Sequence, residues 1–349
     1  MELLKIDGSY GEGGGQIIRT AVTLSSITGT PVEIENIRKG RNVPGLRPQH
    51  LTGIKILAKI CDAKVEGLHV GSTALRFFPS KINDATLDEN VGTAGSIPLI
   101  LQVLVPAIAI SKKNLNLSIM GGTDVVWSPT SNYTQFVLKE AYSRIGINFS
   151  MDIKKRGYYP KGGGLVDVQV LPYEKIKPIS LLKRTTKKVK LLCSYSMISK
   201  ESIENEVNEA RKILESNDLS CDYEIKEESV FDKGCSLLAF AYDDSSITGS
   251  DAIYNKDAIY NKDVKGIGHI VATKFLESNL GVDYFLSDML VIPLALTSET
   301  SVFRVNKITK HLETNLFVTS KFTNCKYGMG KLDDGFEVRI KGNSDAGMQ

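Results

Sequence analysis

The first residues that could do chemistry are Asp7-Gly8-Ser9-Tyr10-Gly11-Glu12-Gly13-Gly14-Gly15-Gln16, followed by Ile17-Ile18-Arg19. An apolar run precedes them (Leu3, Leu4, Ile6) and an apolar-periodic run follows (Ile17, Ile18, Ala21, Val22, Leu24). That order reads as strand, glycine loop, helix. Such a junction lets backbone N–H groups approach an anion closely and aims a helix N-terminus at it. Glu12 sits inside the loop, and Gln16 and Arg19 lie on the first helical turns. A carboxylate in a phosphate loop calls for a divalent cation between the two negative groups. The loop is not a P-loop, because no Gly-Lys-Ser/Thr follows. It is not a dinucleotide fingerprint either, because the third glycine would fall at Gln16. On spacing alone, a turn that needs positive φ at several positions explains it equally well.

The elements that must position this loop form an internal repeat. A pattern of glycine or acidic loop, apolar helix, strand, second helix and closing strand or hairpin recurs three times. The first copy has helices at Gln16–Thr28 and His50–Cys61, with strands at Val32–Ile34 and Lys64–Glu66. In the second, Gly92-Thr93-Ala94-Gly95-Ser96 opens a helix at Ile97–Ala109. Leu115–Ile119 is a strand, Tyr133–Ile145 a helix and Leu165–Val170 a strand. The third has a helix at Ser287–Leu296, a strand at Ser301–Val305, a helix starting at His311–Phe317 and a strand at Phe336–Ile340. Alternating strand and helix signals predict an α/β fold in layers, built of three βαβ-type units. The rhythm breaks between copies two and three at a basic connector, Lys183-Arg184-Thr185-Thr186-Lys187-Lys188. Strand signals at Val189–Tyr195, Tyr223–Ile225 and Leu237–Ala241 follow, with an amphipathic helix marked by Ile203, Val207, Ala210, Ile213 and Leu214. The expected organisation is a catalytic domain from 1–183 and 276–340, an inserted α/β domain at 184–275 and a tail at 341–349. Within the insert, Asp251–Lys256 is duplicated at once as Asp257–Lys262, which reads as a tolerated surface-loop insertion.

Bulk properties narrow the class. The chain has 349 residues, 42% hydrophobic and 24% charged, as expected of a soluble protein of roughly two domains. No apolar run reaches the roughly 18 residues of a membrane span. Met1-Glu2-Leu3 starts no signal peptide, and Cys61, Cys193, Cys221, Cys235 and Cys325 contain no CxxC pair. A reduced cytoplasm and no structural zinc are expected. The net charge of +3 is too small to establish a nucleic-acid partner. Basic clusters at Arg38, Lys39, Arg41 and Arg47, and at Lys154, Lys155, Arg156 and Lys161, read equally as solvated faces or as anion sites.

Four histidines are present. His69 lies in a strand-like stretch and His269 in the inserted unit, and both read as structural. His50 and His311 each open the second helix of a repeat, where Tyr133 stands in copy two. Symmetry alone does not choose between them. A helix N-terminus disfavours the imidazolium and favours nearby anions, which suits a neutral, nucleophilic ring beside a phosphate.

Taken in order, several linked motifs resemble the RNA 3′-terminal phosphate cyclases over nearly the whole chain. They are the glycine loop with Arg19; Ile37-Arg38-Lys39-Gly40-Arg41 through Pro44-Gly45-Leu46-Arg47-Pro48-Gln49-His50; and Gly92-Thr93-Ala94-Gly95-Ser96. They continue with Gly121-Gly122-Thr123-Asp124 and Ser128-Pro129, then Arg156-Gly157-Tyr158-Tyr159-Pro160-Lys161-Gly162-Gly163-Gly164. Last come Asp288 before Leu290–Leu296 and His311-Leu312-Glu313-Thr314-Asn315. The resemblance implies repeats similar to those of EPSP synthase and of the C-terminal half of bacterial translation initiation factor three. It implies ATP-dependent conversion of an RNA 3′-phosphate to a 2′,3′-cyclic phosphate through an adenylate carried on a histidine, and it places that histidine at His311. It implies a metal role, Mg²⁺ or Mn²⁺, for Glu12. Gln16, Arg19 and Gln49 match nucleotide- or phosphate-contacting positions, Pro129 packs on adenine and Asp288 lies by the nucleotide. Arg38 and Arg41 would clamp the RNA phosphate, since guanidinium binds phosphate bidentately. Two positions depart from the family pattern. Phe285 stands where a tyrosine or histidine is usual, so it can stack but not donate. Met289 stands in place of a glutamine and offers no amide. The competing readings are a non-catalytic relative that binds RNA in ribosome assembly, and an enolpyruvyl transferase sharing the repeat.

Overall fold

The computed structural model describes residues 3–254 and 265–347. Three units in it share one strand order. The first is β1 (Leu4–Asp7), α1 (Gln16–Thr28), β2 (Val32–Glu35), α2 (Pro48–Ile60), β3 (Lys64–Glu66) and β4 (Leu75–Phe78). β1 pairs parallel with β2, β2 antiparallel with β4, and β4 antiparallel with β3. The second is β5 (Ala85–Asn90), α3 (Ile97–Ile110), β6 (Leu115–Gly121), helix α4 over 131–145, β7 (Phe149–Lys155) and β8 (Gly164–Val170). Its sheet order, β5-β6-β8-β7, repeats the first. The parallel pair in each unit needs a crossover, which the first helix supplies.

The third unit begins with the two-residue strand β9 (Ser180–Leu181) and is then interrupted. The interruption holds β10 (Lys188–Ser196), α5 (Lys200–Glu215), β11 (Ser220–Glu227), β12 (Gly234–Asp243), β13 (Ser246–Ile253) and α6 (Ile267–Glu277). The chain then returns through α7 (Tyr284–Met289), α8 (Val291–Ala295), β14 (Thr300–Val305), α9 (Lys310–Thr323), β15 (Lys326–Lys331) and β16 (Phe336–Lys341). The third sheet is β9-β14-β16-β15, the same order again, whereas the inserted sheet is β11-β10-β12-β13. The insertion therefore falls inside the third repeat, after its first strand, and not between copies two and three. Two residues are too few for any periodicity to mark β9 in the sequence.

Helices fill the middle. α1 is buried on nearly every side, and α3 is almost wholly apolar, the pattern of a central helix. α1 packs on α3 and α9, and α8 packs on α3, so one apolar core runs through all three repeats. Strand alternation divides the inserted sheet. Leu191 and Leu237 face α5 and α6 in a separate core, while Leu192 and Leu238 join the main one. No helix of the described residues is long and apolar enough to cross a membrane.

Several expectations need correction. The single helix expected at Ser287–Leu296 is two short ones that break at Leu290. Pro293 has no N–H to give to Met289, four residues earlier, and its ring crowds that carbonyl. The freed Met289 oxygen accepts from Tyr142 Oη at 3.2 Å. Helix α4 carries a π-helical turn at Thr134–Leu138. His69 is exposed in the loop after β3, not in a strand. The first copy of the duplicated hexapeptide is not a surface loop at its start. Asp251, Ala252 and Ile253 finish β13. The rest of the duplication beyond Tyr254 lies outside the described residues.

Two carboxylates, Asp283 fully buried and Asp251 partly so, join the insert to the repeats. Asp283 caps α7, accepting from Phe285 N at 3.0 Å and Leu286 N at 2.9 Å. It also accepts from Tyr133 Oη of repeat two at 2.8 Å and from Gly249 N of the insert at 2.9 Å. Asp251 accepts from Thr130 N at 2.6 Å. Burial pushes both carboxyls up to about 6, against the hydrogen bonds that pull them down. An acid whose folded pKa exceeds its unfolded value binds protons more tightly when folded. Its stabilising contribution therefore falls as pH rises from about 4 to about 6. Denaturant midpoints followed from pH 4 to 7 should decline less steeply in an Asp251→Asn/Asp283→Asn double variant than in wild type. Parallel curves would refute this assignment.

Candidate active site

The glycines of the first loop mark close approaches. Helix α1 starts after Gly15 with no side-chain cap, which leaves its first amides open to an anion. Gly11 has φ +60, and a Cβ there would lie 2.2 Å from Thr314 Oγ1 on α9. That hydroxyl accepts from Glu12 N at 3.4 Å. A Cβ on Gly14 would sit 2.0 Å from Glu12 Oε2, and one on Gly15 would sit 2.4 Å from His50 Nε2. The loop thus touches the last repeat, its own carboxylate and α2 at successive positions.

His311 is the second residue of α9, whose cap Thr309 accepts from Leu312 N. Its Nδ1 lies 3.2 Å from Asp288 Oδ2 and its Nε2 3.4 Å from Glu12 Oε1. The ring is 43% exposed, so solvent and ligands reach it. Asp288 is almost buried at 8%. Its Oδ2 also accepts from Gln16 Nε2 at 2.7 Å. Its backbone oxygen accepts from Asn315 Nδ2 at 2.8 Å, one helical turn beyond His311. Glu12 on the other side is paired with Arg41. One carboxylate is therefore held by a buried neutral amide and the other by a partly exposed cation.

Arg19 lies half-buried beneath this group. It shares a small cavity with Gln16, Asp288, Met289 and Asn315, and a second with Gln49 and His50. Burial lowers its guanidinium to about 10, offset by Asp288, so it remains a cation at neutral pH. His50 is different from His311. It is buried, its Nδ1 accepts from Arg47 N at 3.1 Å, and burial with Arg19, Arg38 and Arg47 nearby pushes it down to about 3. A ring that is neutral, buried and spent on a helix cap is a poor nucleophile, which separates two histidines that the repeat symmetry left equal.

The other sequence candidates fall into three places. Gln49 Oε1 accepts from Ser96 N at 3.1 Å, at the start of α3. Ser96 Oγ contacts Ser128 Oγ, which brings the Pro129 loop to the same rim. Phe285 and Met289 lie on α7 with Asp288; the Phe285 ring is exposed and tilts on Tyr284 at 4.3 Å. Arg38 has φ +57 and gives its NH1 to the Val43 and Gly45 carbonyls, both at 2.9 Å, so part of its fork shapes the loop. The structure thus gathers Glu12, Gln16, Arg19, Arg41, Asp288 and His311 directly. Gln49 joins them across the second cavity.

Sequence reading gave no role to Thr314, Asn315, Asp283 or Ser96. Thr314 and Asn315 stood inside a quoted motif, three and four residues after His311. That spacing puts them on the same helix face and was the available signal.

Among the described residues no group of three or more His, Cys, Asp or Glu side chains is set to hold a metal ion. Mg²⁺ is commonly held by one or two carboxylates together with substrate phosphates, and Glu12 is the carboxylate available in this loop. A Cβ on Gly14 would collide with Glu12 Oε2 at 2.0 Å, so glycine there lets that carboxylate lie against the loop backbone.

Comparison with known proteins follows from this geometry. A family model described as RNA 3′-terminal phosphate cyclase matches residues 10–329. An RNA 3′-terminal phosphate cyclase of Methanococcoides burtonii is 36% identical over 97% of this chain and 100% of its own. Those of Thermococcus kodakarensis and Thermococcus onnurineus are 39% and 38% identical, over 92% and 98% of this chain and 93% and 100% of theirs. Among solved structures, the enolpyruvyl transferase NikO from Streptomyces tendae aligns over 99% of this chain and 49% of its own, at a TM-score of 0.41 and 9% identity. So distant a likeness carries no weight here. With the family match spanning all three repeats and the insert, the chain belongs to the RNA 3′-terminal phosphate cyclase family.

Proposed function

We propose that this chain uses ATP to convert an RNA 3′-terminal phosphate into a 2′,3′-cyclic phosphodiester, through an adenylate carried covalently on His311. The observation that carries the reading is the His311 ring, open to ligands and flanked by carboxylates from two different repeats. A non-catalytic relative would have no use for that arrangement.

The chemical difficulty is that a phosphate monoester dianion repels nucleophiles and has a poor leaving group. Asp288, fixed by Gln16, accepts a hydrogen bond from Nδ1–H and orients the ring so that Nε2 presents its lone pair. Nε2 attacks the α-phosphorus of ATP, an N–P bond forms and the bond to pyrophosphate breaks. An oxygen of the RNA 3′-phosphate then attacks that phosphorus, and the N–P bond breaks to restore His311. Finally the adjacent 2′-hydroxyl attacks the RNA phosphorus, loses its proton to solvent and expels AMP. Tethering gives that last step a high effective concentration. Arg19 offsets phosphate charge beneath the ring, and Arg38 and Arg41 flank the RNA phosphate. Gln16 and Gln49 contact the nucleotide, with Pro129 and Phe285 against the base and Met289 beside it. Glu12 would hold a divalent cation, Mg²⁺ or Mn²⁺, whose chemistry is to neutralise phosphate charge.

Incubation with α-labelled ATP and metal, followed by denaturing electrophoresis, should show label stable in alkali and lost in acid, as a phosphoramidate is. His311→Ala should lower the label by about 10³-fold or more; equal labelling would sink the mechanism. Asp288→Asn should slow adenylation roughly 10²-fold by misplacing the ring, with ATP binding little changed. Glu12→Ala should impair adenylation more than RNA binding, and intact adenylation at ordinary metal concentration would count against its metal role.

A further inference from the structure

Three aromatic rings stand exposed on loops that gather at one edge of the second sheet. Trp127 is 92% exposed, Tyr159 71% and Phe231 75%. Large rings are normally at least partly covered, so three bare ones on adjoining loops need an explanation. Trp127 follows the end of β6, Tyr159 sits in the β7–β8 hairpin and Phe231 in the β11–β12 loop of the insert.

These loops are held together, and they lead from the site already described. Gln49 is bonded to Ser96, and Ser96 to Ser128 beside Trp127. The hairpin presses on the loop before Ser96, where a Cβ on Gly162 would lie 2.7 Å from Ala94 Cα. Lys161 N then donates to Asp232 Oδ2 at 3.1 Å, which joins the hairpin to the insert. Next along, Lys155 Nζ lies 4.2 Å from the centre of the Phe231 ring. The hairpin is anchored by its buried neighbour. Tyr158 is sunk against Gly234, and its Oη donates to Ser194 O at 3.3 Å. Tyr159, one residue on, is exposed where Tyr158 is buried. Lys161 carries its ammonium in solvent on the same rim, whereas Lys154 is committed to Asp152.

Exposed rings interleaved with lysines are what a single-stranded nucleic acid needs: faces on which bases stack and cations beside the backbone. A protein partner would bury such rings against apolar side chains and would gain little from the lysines. We propose that this rim is the binding track for the single-stranded RNA that precedes the reacting 3′-phosphate. Bases stack on Tyr159 and Phe231, and backbone phosphates pair with Lys155 and Lys161. The proposal rests on the reading of the His311 centre as an RNA-processing site, and it adds the path of the strand. It gives the insert a role in substrate binding. It also implies weak base preference, because every base has a face to stack.

The test compares 3′-phosphorylated oligoribonucleotides of about 3 and about 12 nucleotides, the longer spanning such a track, by fluorescence anisotropy at fixed salt. A Tyr159→Ala/Phe231→Ala variant should bind the longer RNA about tenfold more weakly or worse, and the shorter RNA as wild type does. Its labelling by α-labelled ATP should match wild type, which reports an intact His311 centre. Lys161→Ala should lower the slope of log affinity against log salt by about 0.7 for the longer RNA. Wild-type affinity of the double variant for the longer RNA would overturn the track. If the double variant also loses labelling, Lys161→Glu decides, and unchanged affinity for the longer RNA again overturns it. If wild type itself takes no label, the His311 mechanism fails while the anisotropy comparison still judges the track.

Discussion

A buried hydrogen bond between Gln16 and Asp288 joins the start of the first repeat to the third, 272 residues away in sequence. It is the contact on which the candidate site depends. It fixes the carboxylate that faces His311, and it does so with a neutral amide that leaves the negative charge in place. Left without a partner, that carboxylate would carry a heavy desolvation cost. Held between Gln16, the Asn315 bond to its own backbone and the imidazole, it is a rigid reference point. Glu12 has the opposite character. Its partner Arg41 is half-exposed, and the carboxylate lies against the backbone of Gly14, where a Cβ would displace it. One side of the ring is set by the fold and the other is free to respond to a ligand.

The insert is tied into the same region without supplying any residue to the ring itself. Gly249 of β13 donates to the cap of α7, and Asp251 receives the amide next to Pro129. Both bonds hold segments that border the candidate site. The sheet of the insert is therefore two-faced in a functional sense. One face closes its own small core and the other carries packing into the repeats.

Much of this was legible in the residues. The glycine loop, the central helices and the two candidate histidines follow from composition and period, because α3 is almost wholly apolar, α1 carries a periodic apolar run and three of the loop glycines are consecutive. The strand-level details were not. β15 (Lys326–Lys331) is exposed along its whole length and carries two glycines, so it shows no alternation. β9 is two residues long. The break between α7 and α8 was readable in principle from Pro293, but an apolar run on both sides hid it. The family motif already pointed to His311 rather than His50; the difference in burial, and the carboxylates Glu12 and Asp288 beside His311, became visible only in three dimensions. Arg38 and Arg41 show the same limit. Their type announces an anion site, yet only the coordinates reveal that one fork partly builds its own loop and the other is paired with Glu12.

The bond between Glu12 and Thr314 spans 302 residues, nearly the full length of the chain. Contacts so far apart close late, because the entropy of the intervening loop must first be reduced by local structure. On a ribosome the glycine loop emerges before the insert, and α9 emerges after all of it. A nascent chain that has released repeats one and two still lacks the His311 ring, Asp288 and the α9 face on which α1 packs. The centre exists only when the last repeat has docked on the first. In that respect the placing of His311 in the third repeat makes the site a product of the docking between repeats.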